Sequence, residues 1–209
     1  MRGEMSNVFF GITWGAGAVV AIWVGWMFLT GGGPALSLES LVTGKDNRFS
    51  LSKLQAALWF FAIFFGYVAT YAVRVRIGDV AALDALLQNL MLLLALSAGG
   101  TLGSKWITGY KVRAGKITKA DADRPAAGNL VADDDGYSAW NKVQLFYFTA
   151  LAFGIYGFGL VRELQLASAD SAPMLPEVDT ALVVLMGLSQ GAYLGKKVVT
   201  EDSNREPML

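Results

Sequence analysis

The sequence predicts an all-α integral membrane protein with five transmembrane helices, arranged as one lone N-terminal helix and two tandem, parallel repeats of a helical hairpin. Three observations predict this class. Of the 209 residues, 54% are hydrophobic and only 16% are charged, whereas about a quarter of a soluble domain is charged. The charges are clustered, which leaves five long charge-free runs. Two of these runs also resemble each other residue by residue.

The first charge-free run covers residues 8–30. It is long enough to cross the roughly 30 Å hydrocarbon core of a bilayer as a helix. A cleaved signal peptide is the alternative, but this run is longer than the usual apolar region of such a peptide. The segment before it is also nearly neutral, with Arg2 against Glu4. We therefore expect a retained transmembrane helix.

Four further charge-free runs predict the two hairpins. They cover residues 54–73, 85–104, 143–161 and 180–195. The last run is short, but the flanking Lys196 and Lys197 can extend their side chains to the headgroups. None of the five prolines interrupts a run. We expect an N-terminal helix, a first hairpin, a cytoplasmic loop, a second hairpin and a tail at residues 1–33, 34–108, 109–133, 134–200 and 201–209.

Lysines and arginines are distributed unevenly between the two predicted sides of the membrane. Five spans place residues 1–7, 74–84 and 162–179 on one side, and these segments hold four of the 17 basic residues. The other thirteen lie on the opposite side, and basic loops stay in the cytoplasm. This pattern predicts a bacterial-type inner (plasma) membrane protein with its N-terminus outside and its C-terminus in the cytoplasm.

The third and fifth spans are two versions of one sequence. Residues 94–108 and 186–200 agree at seven of fifteen positions, where ordinary composition gives roughly one or two matches. The identical pairs are Leu96/Leu188, Ser97/Ser189, Gly99/Gly191, Leu102/Leu194, Gly103/Gly195, Lys105/Lys197 and Thr108/Thr200. The preceding spans correspond at an offset of 89 residues. Two hairpins with the same orientation are expected to be related by an axis along the membrane normal.

Small residues recur at every fourth position in both repeated spans, and so lie on one face of each helix. They are Ala95, Gly99 and Gly103 in the first copy and Gly187, Gly191 and Gly195 in the second. Small residues let helices approach closely in lipid. We expect them to form a helix-packing seam, either between the third and fifth spans or between protomers. A glycine-lined pore is the alternative.

Polar residues at the starts of the second and fourth spans match the capping-box pattern. Ser52 with Gln55, and Asn141 with Gln144, predict an N-cap side chain and a glutamine that reaches back to the N-cap backbone. The alternative is a polar ring at the cytoplasmic mouth of a pore.

A second set of polar residues is predicted to lie within the membrane. Ser97, Ser189 and Gln190 stand inside the third and fifth spans. Interhelical hydrogen bonds are the expected role of such residues. A binding site is the alternative.

No catalytic, cofactor-binding or metal-binding constellation is visible in the sequence. The chain has no cysteine and no histidine, and no charged residue lies within a span. Proton relays and ion-coupled transport usually require charged residues there. Asp133, Asp134 and Asp135 match no calcium-binding loop, so a solvated turn is expected there. We therefore expect no enzyme, no cofactor and no metal.

Two functions fit these observations. The first is a non-enzymatic structural, accessory or anchoring subunit of a larger membrane assembly, with the cytoplasmic loop as a docking segment. The second is a homo-oligomeric passive channel or pore. The expected partners are the lipid bilayer and either other membrane subunits or further copies of the chain. The net charge of zero gives no reason to expect a nucleic-acid partner.

Overall fold

The computed structural model describes residues 2–30, 38–44, 46–79, 88–113, 123–132 and 137–199. Within these ranges the chain is all-helical, with isolated β-bridges and no strands. The helices are α1 (Arg2–Thr30), α2 (Leu38–Val42), α3 (Leu51–Arg76), α4 (Gln88–Arg113), α5 (Trp140–Leu166) and α6 (Thr180–Val199), with a 3-10 turn at Ala127–Leu130 between α4 and α5.

The five long helices, α1 and α3 to α6, coincide with the five predicted runs and mostly extend beyond them; residues 85–87 of the third run lie outside the described residues. The fourth helix of this set, α5, begins three residues before its charge-free run and ends five residues after it. A charge limits how much of a helix sits in hydrocarbon, but it does not end the helix, because lysine and arginine are good helix formers. The short α2 and the 3-10 turn were not predicted.

Four of these helices are long and apolar enough to cross a membrane. They are Met5–Trp26, Leu51–Arg76, Leu90–Lys111 and Trp140–Leu166. Large apolar side chains also point outwards along them, among them Phe9, Leu102 and Phe158. Soluble monomers seldom expose apolar surface so extensively. The chain is therefore a membrane protein, and α6 is the one long helix that lies outside this set.

Helices α3, α4, α6 and α5 pack in that order around a four-membered ring, because α3 contacts α4 and α5 while α6 contacts the same two helices. Helix α1 lies outside the ring, in the groove between α3 and α5. Its Gly11 faces Val73 and Leu164. The absence of a side chain at Gly11 lets the two neighbouring helices approach α1 closely.

Aromatic rings fill the centre of the ring of helices. Trp59 of α3 and Tyr156 of α5 are fully buried and meet edge to face, with ring centroids 6.1 Å apart. The Tyr156 hydroxyl donates a hydrogen bond to the Ala62 carbonyl across the α3–α5 interface, at 3.4 Å. Gly66 leaves the space that this hydroxyl occupies. This contact fixes the register of α3 against α5.

Two sets of contacts hold the opposite ends of the bundle. At the Arg76 end, Arg76 donates hydrogen bonds to the carbonyl and hydroxyl of Ser6, at 2.9 and 2.7 Å. Asn7 donates to the Ala167 carbonyl at 3.0 Å. At the Lys53 end, where α3 and α5 begin, Asn47 donates to the Asp123 carbonyl at 3.2 Å. The start of α1 is therefore at the opposite end from the starts of α3 and α5.

Candidate functional site

The α4–α6 interface contains two of the six residues predicted to form a packing seam. A side chain added at Gly103 would lie 3.3 Å from Leu194 Cδ1, and one added at Gly187 would lie 3.6 Å from Leu96 Cδ2. Gly100 lies between these contacts, and a side chain there would overlap the amide of Gln190. Gly100 was missed because it falls outside the four-residue spacing, although it stands directly beside Gly99.

The other four predicted seam residues lie on the outer surface of the bundle. Ala95, Gly99, Gly191 and Gly195 are all exposed, and a side chain added at any of these three glycines would have no neighbour within 4 Å. The expected continuous seam within the chain is therefore not formed by these residues. Their packing against another protomer stays a prediction.

The α4–α6 contact is not the one that a twofold axis along the membrane normal would produce, while an axis of another order along the normal stays a prediction. Such a twofold makes contacts reciprocal: if one residue touches the copy of a second, the second touches the copy of the first. Leu96 touches Gly187, which is the copy of Ala95. Ala95 and Leu188, which would have to touch in return, are both exposed. The two helices therefore lie side by side with different faces in contact.

The capping-box prediction is wrong for both helices, because each helix begins earlier than the pattern required. Helix α3 begins at Leu51 with Ser50 as N-cap, and α5 begins at Trp140 with Ala139 as N-cap. Ser52 and Asn141 are therefore the second helical residue of α3 and α5. Neither actual N-cap makes a side-chain capping hydrogen bond.

Gln55 instead crosses the interior of the bundle. Its side chain is almost fully buried, and Nε2 donates a 2.6 Å hydrogen bond to Thr149 Oγ1 on α5. The Thr149 hydroxyl donates in turn to the Leu145 carbonyl at 2.7 Å. Gln144, the counterpart of Gln55, is only half-buried. The two glutamines that look equivalent in sequence thus occupy different surroundings.

Ser97, Ser189 and Gln190 all lie in the interior of the bundle, as buried polar residues of α4 and α6. Their exposed fractions are 3%, 4% and 5%. The Ser97 hydroxyl and both polar atoms of the Gln190 amide have no hydrogen-bond partner among the described residues. A buried amide without a partner costs about 1–3 kcal/mol. The expected interhelical hydrogen bonds of Ser97 and Gln190 are therefore not made by protein groups described here.

The segments that lead into α3 and α5 make the same contacts 89 residues apart. Thr43 pairs with Phe49, and Ala132 pairs with Ser138, each as an antiparallel bridge. The next backbone hydrogen bond also recurs, from Ser50 to Val42 at 2.8 Å and from Ala139 to Val131 at 2.9 Å. We name the described residues of these segments, 42–44 with 46–50 and 131–132 with 137–139, the entry loops.

A lysine closes each entry loop from the first turn of the following helix. The Lys53 ammonium donates to the Thr43 carbonyl, and the Lys142 ammonium donates to the Ala132 carbonyl. Sequence inspection missed these contacts, although a signal was present. Both loops begin at the valine of a Leu-Val pair, and both lysines stand two residues before a glutamine.

The interior of the bundle can hold helices in register, but the described residues offer few groups for chemistry. No three histidine, cysteine, aspartate or glutamate side chains among them are placed to hold a metal ion. The predicted turn at Asp133, Asp134 and Asp135 lies outside the described residues. Apart from Lys111 near the end of α4, the buried polar side chains among the described residues are uncharged, and these bind through hydrogen bonds alone.

Comparison of the chain with protein-family models, with curated proteins and with solved structures finds no match.

Proposed function

We propose that this protein is a non-enzymatic structural, accessory or anchoring subunit of a larger membrane assembly. The observation that carries the proposal is the outer surface of α4 and α6, where Ala95, Gly99, Gly191 and Gly195 face away from the bundle. In lipid, apolar surface alone gives helices little reason to associate. Small residues do favour association, because they let two helix backbones approach closely, and this surface offers such an approach to a partner helix.

The proposal includes five spans, with α6 as the fifth. Helix α6 has 20 residues, and its buried side chains pack on α4 and α5 within the same bundle. Lys196, near its end, is exposed and can reach the headgroup layer. A helix of 20 residues is about 30 Å long, which matches the hydrocarbon core.

The proposed orientation places the Arg76 end outside and the Lys53 end in the cytoplasm of a bacterial-type inner membrane. Support comes from the charges near each end. Arg74 and Arg76 stand at the Arg76 end, and Arg74 is already neutralised by Asp79 at 2.6 Å. The Lys53 end carries Lys53, Lys105, Lys111 and Lys142. Basic residues accumulate on the cytoplasmic side.

The proposal also includes two copies of one hairpin, α3–α4 and α5–α6. The recurrence of the entry loops supports it, because their bridges, backbone hydrogen bonds and lysine contacts all repeat at the same offset as the sequence. Unrelated hairpins have no physical reason to reproduce an identical set of contacts.

The experiment that tests the subunit proposal is native mass spectrometry of the protein extracted in a mild detergent from the membrane of its source cell. We expect a mass above that of a 22.4 kDa chain, containing either further copies or other membrane proteins. A lone monomer, recovered under conditions that keep other membrane complexes intact, would overturn the proposal.

A passive channel is the second candidate, and the interior polar groups favour it. Ser97 and Gln190 present unpartnered polar atoms inside the ring of helices, where water would supply the missing hydrogen bonds. The candidate is a homo-oligomeric channel, as the sequence predicts, because Trp59 and Tyr156 fill the centre of a single bundle. Solute flux into liposomes tests it: wild-type flux that Gln190→Leu abolishes supports a channel, whereas sealed liposomes with correctly inserted protein exclude it.

A further inference from the structure

The α4–α6 contact includes three residue pairs in which a side chain of one helix lies against a glycine of the other. Leu96 packs on Gly187, Gln190 packs over Gly100, and Leu194 packs on Gly103. A leucine therefore meets a glycine in the first and third of these pairs, and the Gln190 amide lies against a glycine in the pair between them. The α4 face in this contact is Leu96, Gly100 and Gly103, and the α6 face is Gly187, Gln190 and Leu194.

The repeat carries each of these faces onto the other helix. At the offset of 92 residues, the α4 face corresponds to Leu188, Ala192 and Gly195 on α6. All three are exposed, and Leu188 retains 66% of its surface. We call them the donor face of α6.

The α6 face corresponds in the same way to three residues on α4. They are Ala95, Ala98 and Leu102. All three are exposed as well, and Leu102 retains 67% of its surface. We call them the acceptor face of α4.

The donor and acceptor faces repeat the chemistry of the contact inside the chain. Leu188 against Ala95 restores a leucine on a small residue, and Leu102 against Gly195 restores the Leu194–Gly103 pair with the same two residue types. The middle pair changes from Gln190 over Gly100 to Ala98 beside Ala192. The large Gln190 side chain needs a glycine opposite it. Its counterpart Ala98 is small, so Ala192 fits opposite Ala98.

We propose that a second copy of this chain docks its acceptor face on the donor face of the first, so that the α4–α6 contact continues from one molecule to the next. The docking is head to tail, because each molecule presents one donor and one acceptor face. Head-to-tail contacts produce closed rings or open rows and not a symmetric pair. This inference rests on the subunit function proposed above and names the partner.

The α3–α5 layer leaves the corresponding surfaces open. Thr149 and Tyr156 of α5 pack on α3 inside the chain, and their counterparts on α3 are Phe60 and Tyr67, which are both exposed. Both stay exposed with α1 in place, and Gly11 and Gly15 of α1 face other α3 residues, Phe65, Ala69 and Val73.

The α3–α5 layer is a looser copy than the α4–α6 layer. Ile155 stands where the repeat places the counterpart of Gly66, the residue that makes room for the Tyr156 hydroxyl. We therefore assign the specific contact between two copies to the α4–α6 layer. The α3–α5 layer adds only apolar packing to it.

Cysteine cross-linking in native membranes tests the docking, since the chain contains no cysteine of its own. The variant Ala98→Cys/Ala192→Cys puts one thiol on the acceptor face and one on the donor face, at two positions that face each other in the proposed contact. A disulfide forms only where the two Cα atoms come within about 7 Å. On oxidation, we expect a ladder of disulfide-linked dimers, trimers and larger species.

Four controls make this result specific. Ala98→Cys alone and Ala192→Cys alone should each stay monomeric, and the two single variants expressed together should stop at dimers. Ala98→Cys/Val184→Cys also has an exposed second thiol, but it lies about 12 Å along α6 from Ala192, the residue proposed to face Ala98. It should give no ladder.

Two results would overturn the head-to-tail contact. One is the absence of a ladder from Ala98→Cys/Ala192→Cys when the folded variant is present in the membrane. The other is a dimer from a single-cysteine variant, which indicates a symmetric contact. If native mass spectrometry then finds other proteins bound, the subunit function stands and only the identity of the partner is wrong. A lone monomer in that measurement removes both.

Discussion

At the residue scale, the bundle is held by a small number of polar and aromatic contacts in an apolar surrounding. The hydrogen bond from Gln55 to Thr149 joins α3 to α5 in the interior, where no water competes for either group. Sequence inspection assigned Gln55 to a cap, because a glutamine three residues after a serine at the start of a helix fits that pattern. The actual partner lies on another helix, and the spacing along one chain cannot reveal it.

We expect removal of the Gln55–Thr149 hydrogen bond to destabilise the protein. Gln55→Leu and Thr149→Val should each lower the free energy of unfolding, and a double-mutant cycle should give a coupling of about 1 kcal/mol. Unfolding by a denaturing detergent in mixed micelles measures it. Gln144→Leu, at the half-buried counterpart, is the matched control with a smaller expected effect. A coupling of zero between Gln55 and Thr149 would contradict the contact.

At the element scale, the starts and ends of the helices and the contacts between them decide how the bundle is built. Helix α1 belongs to no hairpin, yet it packs on both α3 and α5. Its Gly15 lies so close to α3 that an added side chain would meet the Phe65 carbonyl oxygen at 3.0 Å. Gly17, two residues further along the same helix, has nothing within 4 Å.

These two glycines give a matched test of α1 packing. Gly15→Leu should separate α1 from α3 and lower the free energy of unfolding by about 2 kcal/mol, as overpacking of a tight contact does. Gly17→Leu should leave it nearly unchanged, because the new side chain faces lipid. Thermal unfolding in detergent compares the variants. Equal losses for both substitutions would show that α1 does not pack on α3 through Gly15.

The helical class and the positions of the five long helices follow from the sequence, because charge-free runs of membrane length have few other uses. The ends of the helices do not follow from the sequence. Helix α3 begins at Leu51, before the charge-free run that starts at residue 54. Lys53 can stand inside the helix because its ammonium group donates to the Thr43 carbonyl of the entry loop. The faces do not follow either. Gly99 and Gly100 are equally small, and only the packing of α4 on α6 decides which of them faces inwards.

At the scale of the whole molecule, four helices of a ring and one outer helix form a body with two different ends. Ser6, Arg76 and Ala167 meet at one end, while the entry loops lie at the other. The side-by-side placement of α3–α4 and α5–α6 leaves an unmatched outer surface on α4 and on α6. The fold turns small residues of α4 and α6 outwards, while its buried polar side chains, among the residues described and apart from Lys111, are uncharged.

The assignment of sides predicts an accessibility pattern for single cysteines. Asp170→Cys, in the loop between α5 and α6, should react with an impermeant thiol reagent added outside the cell. Arg124→Cys, in the loop between α4 and α5, should react only after the membrane is opened. Both parent residues are exposed, so exposure does not separate them. A reversed pattern would show that the Lys53 end lies outside.

The five-span membrane fold depends most on α6, because α6 is the long helix outside the set of four that are apolar enough to cross a membrane. The most direct measurement is the accessibility of Val198→Cys, near the end of α6, compared with Asp170→Cys before its start. Val198 and Asp170 are both exposed, and five spans place them on opposite sides of the bilayer. We predict labelling of Asp170→Cys from outside and of Val198→Cys only from the cytoplasmic side. Labelling of both from the same side would show that α6 does not cross the membrane.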